Sequence, residues 1–465
     1  MASSTKARTV HRCSECGSES PRWLGRCSAC DAWGTLVEVG VARPSLSTVG
    51  GGLPLPSSTP VPIAAVDAAQ SQPWSTAVGE LDRVLDGGLV PGSVTLLAGE
   101  PGMGKSTLLL QALGRMAARG ARCLLITAEE SCSQVRTRAE RIGALAPGLL
   151  VVAETSLPHL LAHVEATTPD VLALDSIQTI VDPDLPGAPG SVTQVRDCAY
   201  RLVQQAKERA LATVLVGQVT KDGSLAGPRV LEHIVDTVLS FDGDRSHSLR
   251  LLHALKHRFG STHELGLFEM TEHGLAGVPD ASARFLVDRR VGVPGSAVAA
   301  VLEGARPVLV EVQALVVPST LPTPRRSAAG LDAGRLGLIL AVLEQRGEVG
   351  VGQSAVYASI AGGLRVAETG LDLALALALA SARLGRPVTQ GTVAVGELGL
   401  GGEIRSVPQL DRRVAEAARL GFTRALVPAT TERVGSRSPE HGIDLVPVRE
   451  VRDAIAVGLV GRHRN

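Results

Sequence analysis

Between residues 75 and 280, short continuous apolar runs alternate with stretches of helical period. SVTLLAG (93–99), CLLITAE (123–129), DVLALDS (170–176) and TVLVGQV (213–219) have the length and aliphatic content of buried strands. KSTLLLQALGRMAARG (105–120) and DCAYRLVQQAKERA (197–210) repeat apolar residues three and four apart and read as helices. Strand and helix in alternation predict an α/β domain around a mainly parallel sheet. From 285 to 465 the pattern is mixed: PVLVEVQALV (307–316) is strand-like, and helices are expected over 331–346, 369–384 and 410–420. RPSLSTVGGGLPLPSSTPVP (43–62) has no period and the composition of a flexible linker. The chain thus divides into a cysteine-bearing unit (1–40), a linker (41–74), an α/β domain (75–280) and a mixed domain (285–465).

Composition narrows the function classes. Lys plus Arg and Asp plus Glu balance at 46 each over 465 residues, so no global field draws the chain to nucleic acid or an acidic membrane. Any such site must be a local patch. The longest apolar run, LDLALALALASA (371–382), is too short to span a bilayer and carries Asp372. The N-terminus has charge but no apolar core of a secretory signal, so a cytoplasmic location is expected.

GEPGMGKST (99–107) matches G-x-x-x-x-G-K-[ST], follows an expected strand and opens an expected helix. Gly99, Gly102 and Gly104, with Glu100, Pro101, Met103 and Thr107 between and beside them, would bring backbone N–H groups onto phosphate oxygens at a helix N-terminus. Lys105 would neutralise the β- and γ-phosphates of ATP and Ser106 would hold Mg²⁺. Asp175, at the tip of DVLALD, suits a ligand of the Mg²⁺ shell. Glu129, at the end of the strand after the P-loop helix, stands where the resemblance to RecA-like ATPases implies a Glu that orients the attacking water, with neighbouring Glu130 as the alternative or a solvated neighbour. Gln218, ending TVLVGQV, stands where a γ-phosphate sensor would sit.

Four of the seven cysteines, Cys13, Cys16, Cys27 and Cys30, form two C-x-x-C pairs. Two tight thiolate pairs suit structural Zn²⁺, with rubredoxin-type iron or a redox pair as rivals. His11, Arg12, Arg22 and Arg26 lie around this knuckle with Trp23 and Trp33, either as a contact surface for nucleic acid or a partner, or as a cover and a solvated rim. A second basic feature, LKHRFG (255–260), places Lys256 and Arg258 at a strand end, where they need an anion.

The knuckle, the P-loop core, the C-terminal mixed domain and TKDGSLAGPRVLEHIVDTVLSFDGD (220–244) together resemble the RadA (Sms) family of bacterial DNA repair proteins over essentially the whole chain. LKHRFG resembles that family's K-N-R-F-G motif, with His257 in place of Asn. The resemblance implies a RecA-like ATPase core and an ATP-driven hexameric ring on single-stranded DNA. It also implies branch migration of recombination intermediates alongside RecA. RecA-like rings bind ATP between subunits, so Lys256 and Arg258 are expected to act on a neighbour's ATP, with Phe259 and Gly260 fixing the turn. Loops 182–194 and 221–229 are the candidates to face DNA, with Lys221 and Arg229 on phosphates. ETGLDLALALALASARLGRPV (368–388) and VAVGELGLGGEIRSVPQLDRRVAEAA (393–418) resemble the Lon proteolytic domain. That resemblance puts Gly370 at the nucleophile position, beside Thr369, and Arg413 at the position of the lysine base. Glycine has no nucleophile and a guanidinium stays protonated, so a non-proteolytic scaffold is expected. Arg325 and Arg326 with Arg335 form a candidate basic patch there. The rival functions are a Lon-type ATP-dependent protease and a RecA-fold signalling ATPase that never handles DNA.

Overall fold

The structure, a computed structural model, describes residues 9–13, 15, 18–20, 22–28, 30–40, 62–65, 72–218, 228–243, 249–429 and 442–461. Cys16, Lys221 and the side chain of Arg229 lie outside the described residues. The described residues form two compact units. One holds residues up to Gly243 with Arg250–Thr262 and Phe268–Gly277, and the other holds His263–Leu267 and the chain from Val278 on.

The N-terminal segment is a small antiparallel sheet in which β1 (Thr9–Cys13) lies between β2 (Glu19–Ser20) and β3 (Leu36–Gly40). Its buried apolar cluster is Cys13, Cys27 and Leu36. So small a core cannot offset the chain entropy of folding, and a metal supplies what is missing in units of this size.

The α/β core is a nine-stranded sheet. Its strands are β4 (Val94–Gly99), β5 (Cys123–Thr127), β6 (Leu149–Ala153), β7 (Val171–Asp175), β8 (Ala212–Gln218), β9 (Thr237–Gly243), β10 (Leu249–His257), β11 (Leu265–Thr271) and β12 (Gly274–Gly277). The order is β12-β11-β10-β9-β4-β8-β7-β5-β6. Strands β9, β4, β8, β7, β5 and β6 run parallel, and β10 returns antiparallel to β9. Helices α1 (Gly79–Val84), α2 (Lys105–Ala118), α3 (Cys132–Arg141), α4 (Leu157–Thr167), α5 (Val192–Arg209) and α6 (Pro228–Leu231) complete it. Both faces are covered. Leu108 and Leu113 of α2 meet Leu125, Val216 and Phe241 on one side, and Leu160 of α4 and Leu202 of α5 meet Leu172 and Leu215 on the other. Central parallel strands covered twice read as unbroken apolar runs, which is why they stand out in the sequence.

The second unit has α7 (Ala281–Leu286), β13 (Ser296–Glu303), β14 (Arg306–Pro318), β15 (Arg326–Ala329), α8 (Ala333–Gln345), β16 (Ser354–Ile360) and α9 (Asp372–Leu384). These are followed by β17 (Thr392–Ala394), β18 (Glu397–Leu398), β19 (Ile404–Arg405), α10 (Leu410–Arg419), β20 (Arg424–Pro428), β21 (Asp444–Val448) and α11 (Val451–Gly458). The seven-stranded sheet runs β15-β16-β14-β13-β17-β20-β21, and β18 and β19 pair separately. Helix α9 is buried from Asp372 to Ser381 between this sheet, α8 and α11. A helix apolar on all sides belongs in a core, which accounts for the run at 371–382.

Candidate nucleotide site and metal centre

The P-loop joins the C-terminal end of β4 to the N-terminus of α2. Gly104 caps α2 with φ of 103°, a left-handed conformation that favours glycine. Met103 is buried, while Glu100, Ser106 and Thr107 are half-buried around the loop. Lys105 is buried, and its Nζ donates to the carbonyls of Gly99 and Glu100, each at 2.8 Å. Burial pulls its pKa down, against the attraction of Asp175, Glu129 and Glu100. An ammonium held only by neutral carbonyls among three carboxylates is free to exchange those carbonyls for phosphate oxygens.

Asp175 ends β7 beside the loop, with the Ser106 hydroxyl next to it. Its pKa is raised, first by burial, with the Ser106 hydroxyl opposing and Glu129 and Glu130 adding repulsion. A half-buried carboxylate with a hydroxyl beside it is a fitting donor pair for a hard divalent cation. Glu129 sits two residues beyond β5, in the loop, where the sequence pattern had extended the strand to it. Its carboxylate accepts from Ser176 Oγ at 2.6 Å and from Gln218 Nε2 at 3.0 Å. Glu130 turns to an ion pair with Arg138, which separates the two glutamates: Glu129 faces Asp175 and Gln218, and Glu130 serves α3. Lys105, Ser106, Asp175, Glu129 and Gln218 thus meet at the C-terminal ends of the parallel strands. Ser176 was missed in the sequence because it looks like the turn residue after an aspartate.

Lys256 and Arg258 do not join them. His257 pairs with Thr237 and Thr237 with Thr95, at the start of β4, whereas the P-loop leaves its end at Gly99. Four residues along β4 and two strand spacings put the two features about 16 Å apart, beyond the reach of either side chain. The anion for Arg258 is Asp236, whose Oδ1 accepts from NH1 at 2.9 Å. Lys256 Nζ donates to the carbonyls of Glu232 and Val235, both at 2.7 Å. Asp236 is 4% exposed and also accepts from the Val94 N–H, so it ties the motif to the base of β4. His257 accepts from or donates to Thr237 Oγ1 through Nδ1 at 2.9 Å, and burial lowers its pKa.

In the N-terminal unit the Sγ atoms of Cys13, Cys27 and Cys30 lie within 4.8 Å of one another, and Cys13 and Cys30 are 3.7 Å apart. Two thiolates on one tetrahedral Zn²⁺ with 2.3 Å bonds stand about 3.8 Å apart, so the three fit that ion, and Cys16 would be the fourth. Trp23 and Trp33 are 60% and 75% exposed, and both rings lie beside Gly25. Arg26 pairs with Asp31.

Three family models match parts of the chain: the KaiC ATPase over residues 74–148, a zinc-ribbon model described as a rubredoxin metal binding domain over 11–38, and subunit ChlI of Mg-chelatase over 355–431. DNA repair protein RadA of Halalkalibacterium halodurans is 43% identical, covering 98% of this chain and 99% of its own. That of Mycolicibacterium smegmatis is 44% identical over 97% of each. The protein of the same name from Bacillus subtilis is 41% identical, covering 98% of this chain and 100% of its own. The chain belongs to the DNA repair protein RadA family. Its α/β core is accordingly a RecA-like P-loop ATPase, its N-terminal unit a zinc-binding ribbon, and its second unit a ChlI- and Lon-like domain of a RadA protein. No helix among the described residues is long and apolar enough to cross a membrane.

The protease-like dyad position in this RadA chain is filled by an ion pair. Arg413 is fully buried and forks onto Glu368, while NH1 also donates to Ala300 O at 2.7 Å and Nε to Pro408 O at 3.0 Å. A Cβ on Gly370 would lie 2.7 Å from Glu368 Oε1 and 2.9 Å from Arg413 NH1, so a serine there has no room beside the pair. Thr369 Oγ1 donates to Glu397 at 3.0 Å. The basic patch expected from Arg325, Arg326 and Arg335 is corrected in one member: Arg335 pairs with buried Asp372 and supports α9.

Proposed function

We propose that this RadA protein is a DNA-stimulated ATPase that moves along single-stranded DNA. In this reading it drives branch migration of recombination intermediates beside the RecA recombinase, as a hexameric ring. The observation that carries the reading is the meeting of Lys105, Ser106, Asp175 and Glu129 at the C-terminal ends of neighbouring parallel strands of a RecA-like sheet. The backbone of Gly99–Thr107 cradles the phosphates, with Gly99, Glu100, Pro101, Gly102, Met103, Gly104 and Thr107 shaping the loop. Lys105 neutralises charge on the β- and γ-phosphates. Ser106 and Asp175 would hold Mg²⁺, which supplies further neutralisation of phosphate charge when bound. Glu129 orients the attacking water and Gln218 reads the γ-phosphate. Lys256 and Arg258 act in trans on the neighbour's ATP, a reading supported by their distance from the P-loop of their own chain. Segments 182–194 and 221–229 face DNA, with Lys221 and Arg229 on its phosphates. The zinc ribbon (1–40), joined by the linker (41–74), is structural, and the domain over 285–465 is a scaffold without peptidase activity.

A labelled three-strand recombination intermediate tests this. With ATP and Mg²⁺ the protein should extend the heteroduplex, and Lys105→Ala should not. An intermediate that moves equally with either protein would rule the motor out.

A further inference from the structure

We infer that Gln178 is a positioning residue for ATP hydrolysis: its side-chain amide clamps the backbone of Gln218, whose own side chain holds Glu129. This rests on the reading of Glu129 as the water-orienting group. The β7–β8 ladder stops at Leu174 and Leu215, but β8 continues to Gln218. Beyond Asp175 the other strand has left the sheet for the turn Ile177–Thr179. The N–H and C=O of one strand residue point to the same side. On that side Gln218 faces no strand. Gln178 replaces the missing one: its Nε2 donates to Gln218 O at 2.8 Å and its Oε1 accepts from Gln218 N at 3.0 Å. Only one orientation of the amide satisfies both bonds, so the pair fixes the clamp's direction.

The clamp has a chemical consequence. Gln218 Nε2 reaches both oxygens of Glu129, at 3.0 and 3.3 Å, while Ser176 Oγ donates to Oε1 at 2.6 Å. Ser176 precedes the turn that carries Gln178. One short segment, 176–178, therefore fixes Glu129 twice, directly through Ser176 and indirectly through Gln178 and Gln218. Without Gln178 the last residue of β8 loses both main-chain partners on that side, and its amide loses its aim. Glu129 is then held from one side only. Gln178 itself touches neither Glu129 nor the P-loop among the hydrogen bonds of the described residues, so its effect passes through Gln218.

The test uses full-length Gln178→Met, Gln218→Ala, their double variant and Glu129→Gln, each assayed for steady-state ATP hydrolysis and for binding of a fluorescent ADP analogue. Gln178→Met should lower kcat about 10- to 100-fold, the cost of misplacing a reacting group by about 1 Å, with unchanged affinity for the analogue. The double variant should be no slower than Gln218→Ala alone, because the two residues act in series. A purely structural staple would instead give effects that multiply, and that result overturns the proposal. So does a normal kcat for Gln178→Met when Glu129→Gln is inactive. Normal hydrolysis by Glu129→Gln would instead bring down the reading of Glu129 beneath it. If Gln178→Met fails to fold, Gln178→Glu serves: it keeps the bond from Gln218 N–H, loses the one to Gln218 O, and should again lower kcat without changing affinity. Normal turnover in that variant would count equally against the clamp.

Discussion

Arg413→Met removes the one cation at the protease-like position of the second unit. The side chain is 0% exposed and serves Glu368, Ala300 O and Pro408 O. Methionine fills most of the volume but donates nothing. Glu368 would keep only the Leu302 N–H, now at 2.6 Å, and two carbonyls would lose their donor. Breaking one side of a buried pair costs about 3–5 kcal/mol when the remaining charge is desolvated, and Glu368 is 23% exposed, so about 3 kcal/mol applies. For a unit of this size each kcal/mol lowers the melting temperature by about 2–4 °C, so a fall of roughly 6–12 °C is expected. Differential scanning calorimetry reads it, and the transition of the second unit is the one that added nucleotide does not raise. Glu368→Gln combined with Arg413→Met should recover part of the loss, since no charge is then stranded while Ala300 O and Pro408 O still lack their donor. A single variant that melts within about 2 °C of the parent, less than 1 kcal/mol, would refute the staple.

Glu303 provides a pH test. Burial first, and repulsion from Glu368 second, raise its carboxyl from the ordinary 4.5 to about 7. The folded state therefore holds a proton that the unfolded chain releases. Its contribution is full below pH 4.5 and is lost as pH rises toward 7, by at most about 3 kcal/mol. Glu303→Gln should flatten that part of the stability–pH curve measured by urea unfolding, and an unchanged curve would count against it. Elemental analysis should find about one Zn²⁺ per chain, since four thiolates make one closed tetrahedral site. Cys27→Ala should lose the metal while keeping ATP hydrolysis, and iron in the preparation would contradict this. Arg258→Ala and Lys105→Ala should each be inactive and should recover hydrolysis when mixed, because some interfaces then join an intact P-loop to an intact cation pair. Failure to recover while subunits exchange would place Arg258 in service to Asp236 of its own chain alone.

The candidate nucleotide site was legible because the residues that gather there sit at or beyond the ends of buried strands. β4, β5, β7 and β8 are continuous apolar runs, and Lys105, Asp175 and Gln218 stand at or just past their tips. Glu129 stands two residues past the end of its strand, and the loop tightened by Thr127 and Glu130 leaves no mark on the apolar pattern. Helix α5 begins five residues before the expected 197, at Val192, and buried Val195 already starts the apolar face that Ala199 and Leu202 continue. The roles of Ser176, Gln178 and Asp236 were not readable: each depends on a residue at least 22 positions away, brought close only by strand order. Arg335 failed for the same reason. In sequence it is a cation near two others, and in the fold it neutralises Asp372. Arg413 was noticed as a wrong base, but its bond to Glu368 required the packing of α10 against β13.

Steady-state ATP hydrolysis with and without a single-stranded oligonucleotide tests the central claim most directly. Hydrolysis by the full chain should rise when the single strand is added, and Lys105→Ala should show neither the basal nor the stimulated rate. A rate indifferent to DNA, or one that survives loss of Lys105, would contradict it.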